Sequence, residues 1–194
     1  IDERLIPVLN DTLSEYDNVK IINADVMKTD MKELLQREFG GEKISIAANL
    51  PYYITTPIIT TLLEARLPIK NMVVMVQKEV AERISAKPST KNYGALSVLC
   101  QYFTRPELIC VVPAGLFVPP PKVDSAVLRL RFLDKPSVEV KDEKMFFRTV
   151  RAAFSQRRKT LLNCLASNFP VGKTVISEIM NNIGIEPSRR GETL

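Results

Sequence analysis

The chain has 194 residues, 45% of them hydrophobic, enough for one cored domain and a smaller appendage. It holds no His, and its three cysteines, Cys100, Cys110 and Cys164, show no C-x-x-C spacing, which excludes His-based triads and the common zinc motifs within these residues and points to a reducing, cytoplasmic compartment with no metal site. No apolar run is long enough to span a bilayer, so no membrane partner is expected, and the net charge is +5.

Apolar residues at Leu5, Val8, Leu9 and Leu13 predict a helix over Asp2–Tyr16. A short β-type run, Lys20–Ala24, ends at Asp25. Met31–Phe39 reads as a second helix, stopped by Gly40-Gly41. Ile44–Ala48 is a continuous apolar run that breaks at Asn49-Leu50-Pro51. Pro57–Ala65 reads as a helix with Pro at its start, Met72–Val76 as another apolar strand, and Glu79–Ile84 as a helix. Continuous apolar strands between amphipathic helices predict a parallel sheet covered on both faces, an α/β fold. Ser97–Phe103 and Leu108–Val112 resemble strands around a turn at Arg105-Pro106, and Ala126–Phe132 alternates like a half-exposed strand. These last runs predict an antiparallel end to the sheet.

Near Asp134-Lys135-Pro136 the pattern changes to helical signals only: Met145–Phe154, Thr160–Ala166 and Val175–Ile183. The boundary is placed so that residues 1–136 form one domain and 137–194 a small all-helical one. Charge changes there too. Residues 1–140 hold 17 basic and 17 acidic side chains, whereas residues 141–194 hold 10 and 5, so the whole positive excess sits in the tail. A neutral body with a basic end suits contact with a polyanion, although a solvated helical surface would read the same way.

Ligands of open α/β sheets sit outside the carboxyl ends of the strands. Asp25 follows one apolar run; alone, it reads more readily as a turn or cap. Asn49-Leu50-Pro51-Tyr52-Tyr53 follows another, and Pro51 keeps Leu50 out of helical geometry. An exocyclic adenine amine is a poor nucleophile because its lone pair is delocalised into the ring. Two carbonyl acceptors, the Asn49 side chain and the Leu50 backbone, could hold such an amine with its lone pair toward a methyl donor. Tyr52 could stack on the base, a contact worth roughly 1–3 kcal/mol. Such a transfer needs no base beforehand, so the lack of His is no obstacle.

Asn49-Leu50-Pro51-Tyr52 resembles the N-[LI]-P-[YF] signature of class I methyltransferases that dimethylate adenosine in ribosomal RNA, nearest to the KsgA-type small-subunit enzymes, with the macrolide-resistance large-subunit enzymes as relatives. Four further strings carry the resemblance: Met75–Arg83, Phe117–Ser125, Phe154–Thr160 and Pro187–Leu194. The resemblance implies an S-adenosylmethionine-dependent adenine-N6,N6-dimethyltransferase that acts on RNA of the small ribosomal subunit, contributes to ribosome assembly and is monomeric at full length. It implies that Asp25 accepts a hydrogen bond from the donor's adenine amine, with the Val26 N–H on the same ring. Asn49 would lie between donor and target, and Tyr52 and Phe117 would be the two aromatic walls around a base taken out of its stack. Arg148, Arg151, Arg157, Arg158 and Lys159 are expected on the tail helices as phosphate contacts, with Arg189 and Arg190 as a second group.

The family's first strand, glycine-rich turn and ribose-binding acid are expected before Ile1, so the sequence reads as a fragment of a class I (Rossmann-like) sheet without its first βα unit. Two rivals remain open. One is an rRNA- or ribosome-binding assembly factor, with this fragment itself inactive. The other is a DNA or protein-glutamine methyltransferase, which Leu50 in place of a first Pro argues against.

Overall fold

A computed structural model describes residues 2–194 of the chain. It has eight helices, four strands and two single-turn 3-10 segments among those residues. Helices α1 (Leu5–Thr12) and α2 (Met31–Phe39) precede strand β1 (Ile44–Asn49) and helix α3 (Thr55–Glu64). Strand β2 (Ile69–Gln77), helices α4 (Lys78–Ile84) and α5 (Ala95–Phe103), and strands β3 (Thr104–Val112) and β4 (Ser125–Phe132) follow. Helices α6 (Glu143–Ala153), α7 (Leu161–Asn168) and α8 (Lys173–Asn182) close the chain.

The sheet order is β1-β2-β4-β3. Strands β1 and β2 run parallel, and β4 is antiparallel to both of its neighbours, so the sheet is mixed as the sequence predicts. Met72, Val74 and Val76 of β2 and Ala126, Leu128 and Leu130 of β4 are buried on one face. Most of the alternate residues are exposed or only partly covered, Ile69 and Ser125 excepted, and β1 alternates between half-buried and exposed positions. The expected cover on both faces is therefore incomplete.

Local chemistry sets several ends. Asp30 caps α2 by accepting the Glu33 N–H, and Gly40 ends it in the left-handed region at φ 60°, which glycine adopts without a Cβ penalty. Asp142 caps α6 in the same way, accepting the Met145 N–H at 3.0 Å.

Four sequence expectations change. Helix α1 covers only Leu5–Thr12 and buries none of its residues, although its apolar spacing is helical. Lys20–Ala24 is not a strand: no partner strand pairs with it among the described residues, and Lys20 is instead tied to Glu38 of α2 at 2.6 Å. Ser97–Phe103 is helix, not strand. Leu96, Leu99, Cys100 and Phe103 fall at helical spacing and are all buried, and Ser97 accepts the Gly94 N–H at the helix start. Arg105-Pro106 is no turn, because both residues lie within β3, an edge strand where the missing N–H of proline costs little.

Two buried clusters lie along the chain. The larger fills the sheet–helix interface and includes Phe147, with Phe146 packed on it; the smaller joins Ala153, Leu161, Ile176 and Met180. Helix α6 belongs to both. Its start is held to the body by Glu143, which accepts hydrogen bonds from Arg66 and, at 3.1 Å, from Tyr102.

Candidate active site

The carboxyl end of β1 leads directly into the site. Asn49 pairs with Met75 of β2, and the next N–H, of Leu50, donates to the Met75 carbonyl at 3.2 Å. The Leu50 side chain is buried, which plugs the turn into the main core. The Pro51 carbonyl then accepts two hydrogen bonds, from the Ile54 N–H at 3.1 Å and from the buried Thr55 hydroxyl at 2.9 Å. Tyr52 is half-buried, and its hydroxyl lies 2.6 Å from the Ser125 hydroxyl at the start of β4. Tyr53, by contrast, is 88% exposed.

The rest of the lining comes from the β3–β4 connection. A short 3-10 turn, Ala114–Leu116, sets up Phe117, and the Asp124 carboxylate accepts the Ala114 N–H at 3.0 Å, closing the loop on itself. The Asp124 carbonyl accepts the Lys78 N–H, also at 3.0 Å, which ties the loop's far end to the start of α4.

Asn49, Leu50, Pro51, Tyr52, Phe117, Pro119 and Pro121 line one cleft of about 340 Å³, within the size range of ligand pockets. All five residues singled out as catalytic from sequence therefore meet in one place. Among the described residues no hydrogen bond ends on the Asn49 side-chain amide or on the Leu50 carbonyl. The cleft is thus lined by two aromatic rings, of Tyr52 and Phe117, and by two acceptors without an internal partner.

Asp25 and Val26 do not line this cleft. Asp25 sits in a turn after an irregular segment. One carboxylate oxygen accepts the Met27 N–H at 2.9 Å, and its carbonyl accepts from Lys28 and Thr29. The other carboxylate oxygen is 4.0 Å from the Lys28 ammonium. Val26 packs against the main core, and its N–H donates to no acceptor among the described residues. A carboxylate acceptor followed by a free N–H is complementary to the amine and ring nitrogen of an adenine edge.

The basic residues are more dispersed than the sequence predicts. Arg157, Arg158 and Lys159 lie in the α6–α7 loop and not on a helix, because α6 ends at Ala153 and the next helix waits for the Thr160 cap. The Arg157 guanidinium donates to the Lys91 carbonyl, whereas Arg158 and Lys159 form no ion pair among the described residues. On α6, Arg148 lies over the Phe169 ring at 4.7 Å and Arg151 is 3.8 Å from Glu64. Arg189 donates to the Thr193 hydroxyl at 3.3 Å, and Arg190 is 4.0 Å from Glu192. A second cleft of about 420 Å³ gathers Arg157 and Lys159 with Arg83, Lys91, Tyr93 and Phe154.

Sequence reasoning missed Thr55, Asp124 and Ser125 as supports of the site. Asp124 and Ser125 stand inside the Phe117–Ser125 string, but the contact that explains Ser125 joins positions 73 apart, which no local pattern exposes. Among the described residues no group of three or more His, Cys, Asp or Glu could hold a metal ion, and no helix is long and apolar enough to cross a membrane.

A family model described as ribosomal RNA adenine dimethylase matches residues 1–194. The chain belongs to that family. Relatives similar in sequence include the ribosomal RNA small subunit methyltransferase A of Bacillus cytotoxicus, 54% identical over 198 residues, covering 100% of this chain and 68% of that protein. The Bacillus mycoides enzyme of the same name is 52% identical over the same share of each chain. Among solved structures, a dimethyladenosine transferase from Plasmodium falciparum superposes with a TM-score of 0.74 at 26% identity, covering 100% of this chain and 75% of that one. The 23S rRNA methyltransferase ErmE gives 0.67 at 26% identity, covering 100% and 76%. The fold is that of the class I methyltransferases, and the chain is an rRNA adenine dimethyltransferase by family. Dimethylases of this family depend on S-adenosylmethionine.

Proposed function

We propose that this dimethylase acts on adenosine of small-subunit ribosomal RNA, methylating N6 twice in the cleft between Tyr52 and Phe117. The observation that carries the reading is the convergence of Asn49, Leu50, Tyr52 and Phe117 on one cleft, with the Asn49 amide and Leu50 carbonyl free of internal partners among the described residues. When bound, S-adenosylmethionine supplies an electrophilic methyl group. Asp25 and the Val26 N–H would hold its adenine, and Asn49 would stand between donor and acceptor.

The chain's own residues supply placement. Tyr52 and Phe117 sandwich the extracted base, recovering part of the stacking given up on leaving the RNA. In the first transfer the Asn49 side-chain oxygen and the Leu50 carbonyl accept the two N6–H groups, and in the second one of them accepts the remaining N–H, which turns the nitrogen lone pair toward the methyl. Because Leu50 is pinned through its N–H to Met75 and through its buried side chain, its carbonyl is preorganised. The amine becomes acidic as it is alkylated and loses its proton to water, so no general base is required. Arg158 and Lys159, with Arg157, Arg148, Arg151, Arg189 and Arg190 around them, give the RNA backbone a basic surface. The division into a catalytic part, 1–136, and a helical RNA-binding part, 137–194, fits the two buried clusters except that α6 serves both.

The test is Asn49→Ala in the full-length enzyme, read by single-turnover methylation and RNA binding side by side. Methyl transfer should fall on the order of a hundredfold, as when one preorganised transition-state hydrogen bond is removed, with RNA affinity unchanged. Unaltered turnover would remove Asn49 from the reacting centre.

A further inference from the structure

We infer that Ser125 is a positioning residue for the Tyr52 ring, and so for the base that stacks on it. The inference rests on the reading of Tyr52 as a stacking platform. Ser125 has no exposed surface and opens β4, in register with Gln77 of β2 and Val112 of β3. Those ladders use only its backbone. The hydroxyl is therefore not needed for the sheet, and its one described partner is the Tyr52 hydroxyl at 2.6 Å.

The consequence for Tyr52 is a ring fixed at both ends. Its backbone lies in the turn closed by the Pro51 carbonyl, which accepts from Ile54 and Thr55. Its far end is held by Ser125, so swinging the ring away about the Cα–Cβ bond must break a hydrogen bond with a group cut off from water. The residue before Ser125 also holds the other wall, since Asp124 closes the Phe117 loop through the Ala114 N–H. One dipeptide thus reaches both sides of the site: Ser125 holds the Tyr52 hydroxyl, and Asp124 braces the turn that leads to Phe117.

The test uses the full-length enzyme with small ribosomal subunits and compares Ser125→Ala, Tyr52→Phe, the double variant and Tyr52→Ala. One hydrogen bond's worth of positioning predicts that Ser125→Ala and Tyr52→Phe each lower kcat by about two- to tenfold. KM for the subunit should stay unchanged, and the double variant should be no worse than the poorer single one. An unchanged kcat in Ser125→Ala, or losses that multiply in the double variant, would overturn the inference. Should Ser125→Ala fail to fold, Tyr52→Phe decides. Lower kcat with weaker quenching of a 2-aminopurine at the target position supports positioning, and full kcat refutes it. Tyr52→Ala separates the two readings: undiminished turnover there would mean that Tyr52 is no platform at all.

Discussion

The Thr55 hydroxyl, on a side chain with only 1% of its surface exposed, donates to the Pro51 carbonyl at 2.9 Å. This hydrogen bond joins the first turn of α3 to the segment that carries Leu50 and Tyr52. Thr55→Val keeps the shape and removes the donor, so it should cost about 0.5–1.5 kcal/mol of stability. For a chain of this size that lowers Tm by about 2–4 °C for each kcal/mol, readable by thermal unfolding. Turnover at a temperature well below Tm should also fall severalfold, because the turn rather than the global fold is loosened. A Tm shift with full turnover would mean that the turn does not govern the site.

Arg158 and Lys159 should carry more of the salt dependence of RNA binding than Arg157 does. Arg157 already donates to the Lys91 carbonyl, whereas the other two have no ion pair among the described residues. Replacing Arg158 and Lys159 with Ala should reduce the slope of log affinity against log salt by about 0.7–0.9 for each phosphate that is no longer neutralised. Arg157→Ala should change the slope less. Titrations at several salt concentrations give the slopes, and equal slopes in all variants would make these charges plain solvated surface.

Glu107 and Arg129 face each other across β3 and β4, with the carboxylate and guanidinium 2.6 Å apart. The hydrogen bond from Arg129 holds the Glu107 carboxyl below its ordinary value of 4.5. A depressed carboxyl contributes stability that is fully present above the unfolded value and disappears as pH falls through the folded one. Both groups are substantially exposed, so the contribution is small and screened by salt. Glu107→Gln should therefore leave Tm nearly unchanged at neutral pH relative to pH 6, and should flatten only the part of the Tm–pH curve below about pH 4.5. An identical acid limb in both proteins would contradict this.

Of the three thiols, only Cys110 should react with iodoacetamide in the native protein. It is exposed, whereas Cys100 and Cys164 are buried. Burial also pushes the Cys100 thiol up to about 12, so almost none of it is thiolate at neutral pH. Peptide mapping should find label on Cys110 alone, and on all three after denaturation. Native labelling of Cys100 would require an opening of the α5–sheet interface that the packing does not suggest.

The residues that line the candidate cleft were legible in sequence because four of them, Asn49 to Tyr52, are consecutive and Phe117 stands just before a proline run. Strands β1, β2 and β4 were legible because their apolar residues are dense and bounded by polar ends. Helix α5 was not, since Val98, Tyr102 and Phe103 suit a strand locally and only burial of Leu96, Leu99, Cys100 and Phe103 together reveals the helical face. The strand expected before Asp25 failed for a different reason. Apolar content does not make a strand without a neighbour to pair with. The supports Thr55 and Ser125 escaped notice because side-chain bonds to a turn or across 73 residues leave no periodic trace.

Helix α6 places Phe146 and Phe147 against one core and Ala153 in the other, and Arg66 and Tyr102 fix its first residue, Glu143, to the sheet-bearing body. Eleven helical residues rise about 16 Å, and a helix gripped at both ends cannot change that length. It acts as a ruler. An RNA that touches both the α6–α7 loop and the Tyr52–Phe117 cleft must present its adenosine at a set separation from the backbone held by the loop. On the proposed reading, with RNA held by the loop and its adenosine in the cleft, choice of target would be partly a measurement of distance, made by a segment that touches neither the base nor the methyl group.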